Sequence, residues 1–159
     1  MVTKLQADAP PSSAGGVPVT LVTGYDAQSI HLNGQPWRQS VLLLPGQPPL
    51  PSPCARFQDL DHQTLRGIRQ SAPQVLIIGS GDRGQLLPPD LAAVLMARPD
   101  EDDLLALATP DAAAPPVGVE SMTTHAACRT YNLLVTEGRQ VAALFFLGDV
   151  VEPDSPALA

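Results

Sequence analysis

The sequence predicts an α/β protein: a three-layer fold with a central mixed sheet, in which an N-terminal antiparallel meander is followed by βαβ units. Three observations predict it. Residues 74–78 (QVLII) and 141–147 (VAALFFL) are nearly continuous apolar runs, the pattern of strands covered on both faces. Residues 117–147 read in order as a strand, a capped helix, a tight turn and a strand, which is a compact βαβ unit. Upstream, short β-branched runs alternate with turn residues, as hairpins do.

Residues 1–16 are rich in Ala, Pro, Ser and Gly and too poor in large apolar side chains to offset their ordering entropy, so a disordered arm is expected. A first strand is expected over residues 17–23, closed by a turn at Gly24-Tyr25-Asp26, and a second over 29–32. Asn33-Gly34 is a strong turn pair because both residues tolerate positive φ. A third strand, 40–44, completes the expected meander. Residues 47–55 contain PPLPSP, which cannot feed a central sheet because proline lacks the amide donor. Asp61 caps a helix reaching Gln70, with Leu65, Ile68 and Ala72 on one side.

Pro89 opens a second helix that Pro99 stops. Residues 100–116 combine four consecutive acids with LLALA and an Ala/Pro tail, and read as a solvated acidic insertion with a helical turn or two over 102–108. Thr123 is a good N-cap for the last helix, and Gly138 ends it. The expected organisation is one α/β domain over residues 17–148, with a flexible tail at 149–159.

Composition narrows the function classes. The 159 residues carry 16 acidic and nine basic side chains, and a net charge of -7 repels nucleic-acid backbones and anionic lipid surfaces. No stretch reaches the roughly 18 consecutive apolar residues of a membrane helix, and the first 17 residues lack the apolar centre of a secretory signal. A soluble cytoplasmic protein is expected, with no nucleic-acid partner and no direct membrane insertion. That compartment argues against a bridge between Cys54 and Cys128.

Residues 79–84 (GSGDRG) formally match G-x-G-x-x-G after a strand. A dinucleotide fold needs the helix to begin by the third glycine, and here it waits until Pro89; no acidic strand end follows to hold a ribose. The glycines are therefore expected to serve close backbone packing.

His125 and Cys128 share a side of the last helix, and Arg129 with the helix N-terminus would lower a thiol pKa, yet no third group orients the histidine. No catalytic set is assigned. His31 and His62 show no zinc spacing, so no metal or cofactor is implied. The better site is a crevice between residues 79–83 and 122–129 that would take an anion or small polar ligand. Its candidates are Gly79, Gly81, Arg83, Thr123, Thr124, His125, Cys128, Arg129 and Asn132. The competing reading has Arg129 pairing with Glu120 and the threonines only capping.

The string ESMTTHAACRTYNLLVTEGRQVAAL, with VLIIGSG upstream, resembles a conserved small α/β domain family. Its members include mitochondrial respiratory complex I assembly factor three and the adipogenesis-associated Mth-type domain protein. The resemblance spans roughly residues 17–147 and is most specific in the last third. It implies a three-layer fold around a mixed sheet, no established enzymatic activity and, for the mitochondrial members, action as an assembly partner of membrane-enzyme subunits. Two departures stand out: Thr123 replaces the family's acidic residue in a Met-Asp-Thr turn, and residues 100–116 lengthen a connection that is short in relatives. The expected function is a non-enzymatic interaction or assembly-factor-like domain with a protein partner, homo-oligomerisation left open. The alternative is a small-ligand-binding protein or undescribed enzyme using the crevice.

Overall fold

The computed structural model describes residues 2–5, 18–97 and 115–148. The acidic run with its expected helical turn, most of the expected arm and the tail from 149 lie outside the described residues. Among the described residues nine strands and three α-helices follow in order: β1 Thr3–Lys4, β2 Val22–Tyr25, β3 Ile30–Leu32, β4 Gln35–Trp37, β5 Val41–Leu43, β6 Leu50–Pro51, α1 His62–Gln70, β7 Val75–Gly79, α2 Pro89–Met96, β8 Gly118–Met122, α3 Thr124–Thr136 and β9 Val141–Phe145.

They form a four-stranded antiparallel sheet, β1-β2-β3-β4, and a five-stranded mixed sheet, β6-β5-β9-β7-β8. In the larger sheet β7 lies parallel to both β8 and β9, and β5 runs antiparallel to β9. Alternation along its strands builds two cores. Val41, Leu43, Val75, Ile77, Ala143 and Phe145 pack with α3 and the small sheet. Leu42, Leu76, Ile78, Ala142 and Leu144 pack with α1 and α2 on the other side. The expected three-layer α/β fold is what forms.

The meander is corrected in three places. Residues 41–43 leave it and join the large sheet, because all three side chains are buried and only a two-faced position covers them. The small sheet completes itself with β4, carrying Pro36 on an edge where a missing amide costs nothing, and with β1, drawn from the expected arm. Gly24 and Tyr25 belong to β2 instead of a turn. A Cβ on Gly24 would lie 2.9 Å from the Thr3 carbonyl oxygen, so the glycine lets β1 approach. The turn starts one residue later, where the Asp26 carboxylate accepts from the Gln28 and Ser29 amides.

Other expectations hold. Asn33 and Gly34 both have positive φ, Asp61 accepts from the Thr64 amide at 2.8 Å, and Pro89 is the first residue of α2. PPLPSP contributes only the two-residue edge strand β6. The sequence reading missed Arg69 on α1. It is buried, and its guanidinium donates to the Val94 and Ala97 carbonyl oxygens, neutralising the negative end of α2 and tying the two helices together.

Candidate functional site

The crossovers place α2 and α3 on opposite faces of the sheet, diverging from the carboxyl ends of β7 and β8. In open α/β sheets that divergence opens a crevice for ligands. Here Thr124 closes it at Gly79. An ideal Cβ on Gly79 would lie 2.8 Å from Thr124 Cα, 2.9 Å from Thr124 Oγ1 and 3.2 Å from Ala127 Cβ, so α3 begins directly on the β7 backbone. Thr124 Oγ1 accepts from the Gly81 amide at 2.9 Å and donates to the Phe146 carbonyl, while the Thr124 amide donates to the Gly81 carbonyl at 2.9 Å. The hydroxyl thus joins the ends of β7, α3 and β9. Gly81 has φ +102°, which an L side chain rarely adopts. The glycine loop receives the helix, in keeping with close packing and not with phosphate cradling.

The remaining candidates separate by depth. Thr123 is the N-cap, accepting from the Ala126 amide at 3.4 Å. Cys128 is fully buried, and desolvation pushes its thiol up to about 12 against a smaller opposing pull from Arg129. A thiol held protonated is no nucleophile, and His125 is exposed on another part of the helix surface. Asn132 accepts from the Val22 amide at 2.9 Å and donates to the Val22 carbonyl at 2.7 Å, so both ends of its amide hold the small sheet against α3.

Arg129 donates to the Tyr25 hydroxyl at 3.0 Å and forms no ion pair with Glu120 among the described residues, which corrects the expected pairing. The His125 ring stacks on Tyr25 with centroids 4.1 Å apart. Tyr25 was placed in a turn by the sequence reading, and nothing local in the sequence marks it as the platform for both side chains.

Arg83 lines a different opening. A cleft of about 530 Å³ lies between the Arg56–Gln58 segment, the loop of residues 80–85 and residues 146–148, which follow β9. Within it the Ser80 hydroxyl accepts from the Gln85 amide and donates to the Arg83 carbonyl, which fixes the loop. The Gln85 side chain meets Gln58 across the cleft at 3.3 Å. Of the nine candidates, Gly81 and Arg83 border this cleft, Thr124 and His125 border a small pocket beside Tyr25, and Gly79, Thr123, Cys128, Arg129 and Asn132 border neither. Among the described residues no group of three or more His, Cys, Asp or Glu side chains could hold a metal ion, and no helix is long and apolar enough to cross a membrane.

No curated protein matches the chain significantly. Among solved structures, a protein from Bordetella parapertussis is 34% identical over 87% of this chain and 100% of its own, with a TM-score of 0.63. A Bordetella pertussis protein described as a Mth938-like domain is 27% identical over 93% of this chain and 96% of its own, with a TM-score of 0.61. A Bartonella henselae protein described as an outer membrane protein shares the fold at 23% identity, over 82% of this chain and 96% of its own, with a TM-score of 0.57. A family profile matches residues 22–114 and 110–146. With most of its length under that profile, the chain belongs to the family described as protein of unknown function (DUF498/DUF598).

Proposed function

We propose that this chain is a non-enzymatic protein-interaction domain, of the assembly-factor kind, whose contact surface is the outer stripe of α3. One observation carries the reading. His125, Arg129 and Leu133 follow one another at four-residue spacing along the helix, all exposed, with Leu133 60% accessible. Tyr25 holds the first two in place by stacking and by its hydroxyl. Side chains ordered before binding lose less entropy on contact, and arginine and aromatic-like planes are common anchors of interfaces.

The test is a photo-crosslinking residue placed at Leu133, with the same residue at exposed Arg66 on α1 as control. A discrete adduct from position 133 alone, lost in Arg129→Ala with an unchanged melting curve, supports the reading. Equal adducts from both positions, or none, would sink it. We place the protein in the cytoplasm: its two free cysteines suit a reducing compartment, and fractionation of the native cell checks this.

A second reading is favoured by the cleft beside Arg83. Its polar lining suits a small anionic or polar ligand, and a thermal-shift screen with a hit lost in Arg83→Ala would carry it.

A further inference from the structure

Resting on the interaction reading above, we propose that β8 is a docking edge. It receives an extended segment of a partner protein as an added strand, with a lysine or arginine of that segment set against Glu120.

Among the described residues β8 closes one side of the large sheet and pairs only with β7. The Gly118 amide donates to the Gln74 carbonyl at 3.1 Å, and the Ser80 amide donates to the Met122 carbonyl at 2.8 Å. In a parallel ladder both backbone groups of a residue face the same neighbour, and the direction alternates along the strand. Gly118, Glu120 and Met122 therefore face β7, and Val119 and Ser121 turn their N–H and C=O groups outward. Neither outward pair has a further backbone partner among the described residues. Edges are protected by bulges, prolines, shortness, a covering segment or a charge, and of these β8 carries only the charge of Glu120 among the described residues. β8 is five residues long, in unbroken register with β7.

Charge and flanking groups state what fits. Glu120 is exposed, is the one charged residue on the strand, and has no ion-pair partner among the described residues. Leu86, 87% exposed, follows Gln85, whose carbonyl takes the Ser121 hydroxyl, so an apolar group stands near one end of the edge. A second copy of this chain is a poor occupant. The antiparallel register that pairs Val119 with Ser121 on both sides sets Glu120 against Glu120, and like charges directly opposite destabilise a sheet. A basic residue in that place attracts instead, and main-chain hydrogen bonds to Val119 and Ser121 supply the affinity.

The experiment uses the full chain and two nine-residue acetylated peptides of alternating Thr and Val, one with a central Lys and one with a central Glu. Binding is followed by the amide NMR signals of Val119 and Ser121. The Lys peptide is expected to shift both saturably, with the Glu peptide at least ~10-fold weaker, about 1.4 kcal/mol. Glu120→Lys reverses that order, and Ser121→Pro removes binding of both, since its lost N–H faces away from β7. Equal binding of the two peptides, no shift at these amides, or a concentration-dependent dimer using them would each overturn the proposal. Persistence of the Leu133 crosslink in Glu120→Lys, with neither peptide bound, would remove the edge and leave the interaction reading standing. Loss of the crosslink with charge-ordered peptide binding intact would do the reverse.

Discussion

Replacing Gly79 with alanine tests whether the glycine loop is a packing socket. The added Cβ meets Thr124 Cα at 2.8 Å and Oγ1 at 2.9 Å, against a comfortable carbon separation of roughly 3.5–4.0 Å. Thr124 Cα is helix backbone, so relief requires α3 or β7 to move by most of an ångström. Overpacking of this kind costs about 1–3 kcal/mol. The movement also stretches the buried hydroxyl away from the Gly81 amide or the Phe146 carbonyl, and an unsatisfied buried group adds about 1–3 kcal/mol.

A loss of about 3 kcal/mol is expected in urea denaturation followed by circular dichroism. Gly67 on α1 is the internal control. Nothing outside its own helix backbone and chain neighbours lies within 4 Å of the Cβ it would gain, so Gly67→Ala should stabilise by about 0.5–1 kcal/mol through helix propensity. The same substitution thus has opposite signs at two positions. A Gly79→Ala protein within about 1 kcal/mol of wild type, set against that ~3 kcal/mol expectation, would refute the socket. Saturable dinucleotide binding lost in that variant would restore the phosphate-cradle reading.

The other predictions concern groups that hold layers together. Arg69→Ala removes the cap of α2 and should cost about 2–4 kcal/mol in the same assay, with Arg69→Lys recovering only part because one ammonium cannot span two carbonyls. Asn132→Asp removes the donor to the Val22 carbonyl and should cost about 1–3 kcal/mol, seen as early loss of amide protection in β2. Cys128 should resist iodoacetamide at pH 8 until denaturant is added. Its folded pKa, about 12, lies above the ordinary 9.0, so its contribution to stability is complete below pH 9 and drains away as pH rises toward 12. A denaturation series from pH 8 to 11 with no downward slope in wild type relative to Cys128→Ala contradicts that assignment.

How much could be read beforehand depended on whether the deciding interaction was local. Asp61, Thr123, Pro89 and Asn33-Gly34 act within a turn of their own position, and the sequence marked each correctly. The two buried strands announced themselves by unbroken hydrophobicity. Residues 41–43 carried the same signal, VLL, but their nearness to two hairpin strands suggested a meander, and sheet membership is settled by which surfaces need covering. Arg69 and Asn132 were illegible in a different way. Their partners lie 25 to 28 and 110 residues away, and no local pattern distinguishes a buried polar seam from an exposed polar residue.

The same distinction explains why the candidate site changed character. Polar residues gathered where a ligand crevice should open, and the inference from topology to crevice was sound. The sequence could not show that Gly79 lacks a side chain so that Thr124 can occupy that space. With the helix packed on Gly79, the Thr124 hydroxyl, the Cys128 thiol and the Asn132 amide turn inward, and each is spent on a backbone group or on burial. What still faces outward is a helix stripe, a loop cleft and the outer edge of β8. Of these, the strand edge presents the Val119 and Ser121 backbone groups without a further backbone partner among the described residues, a feature that suits an incoming chain more than a small molecule.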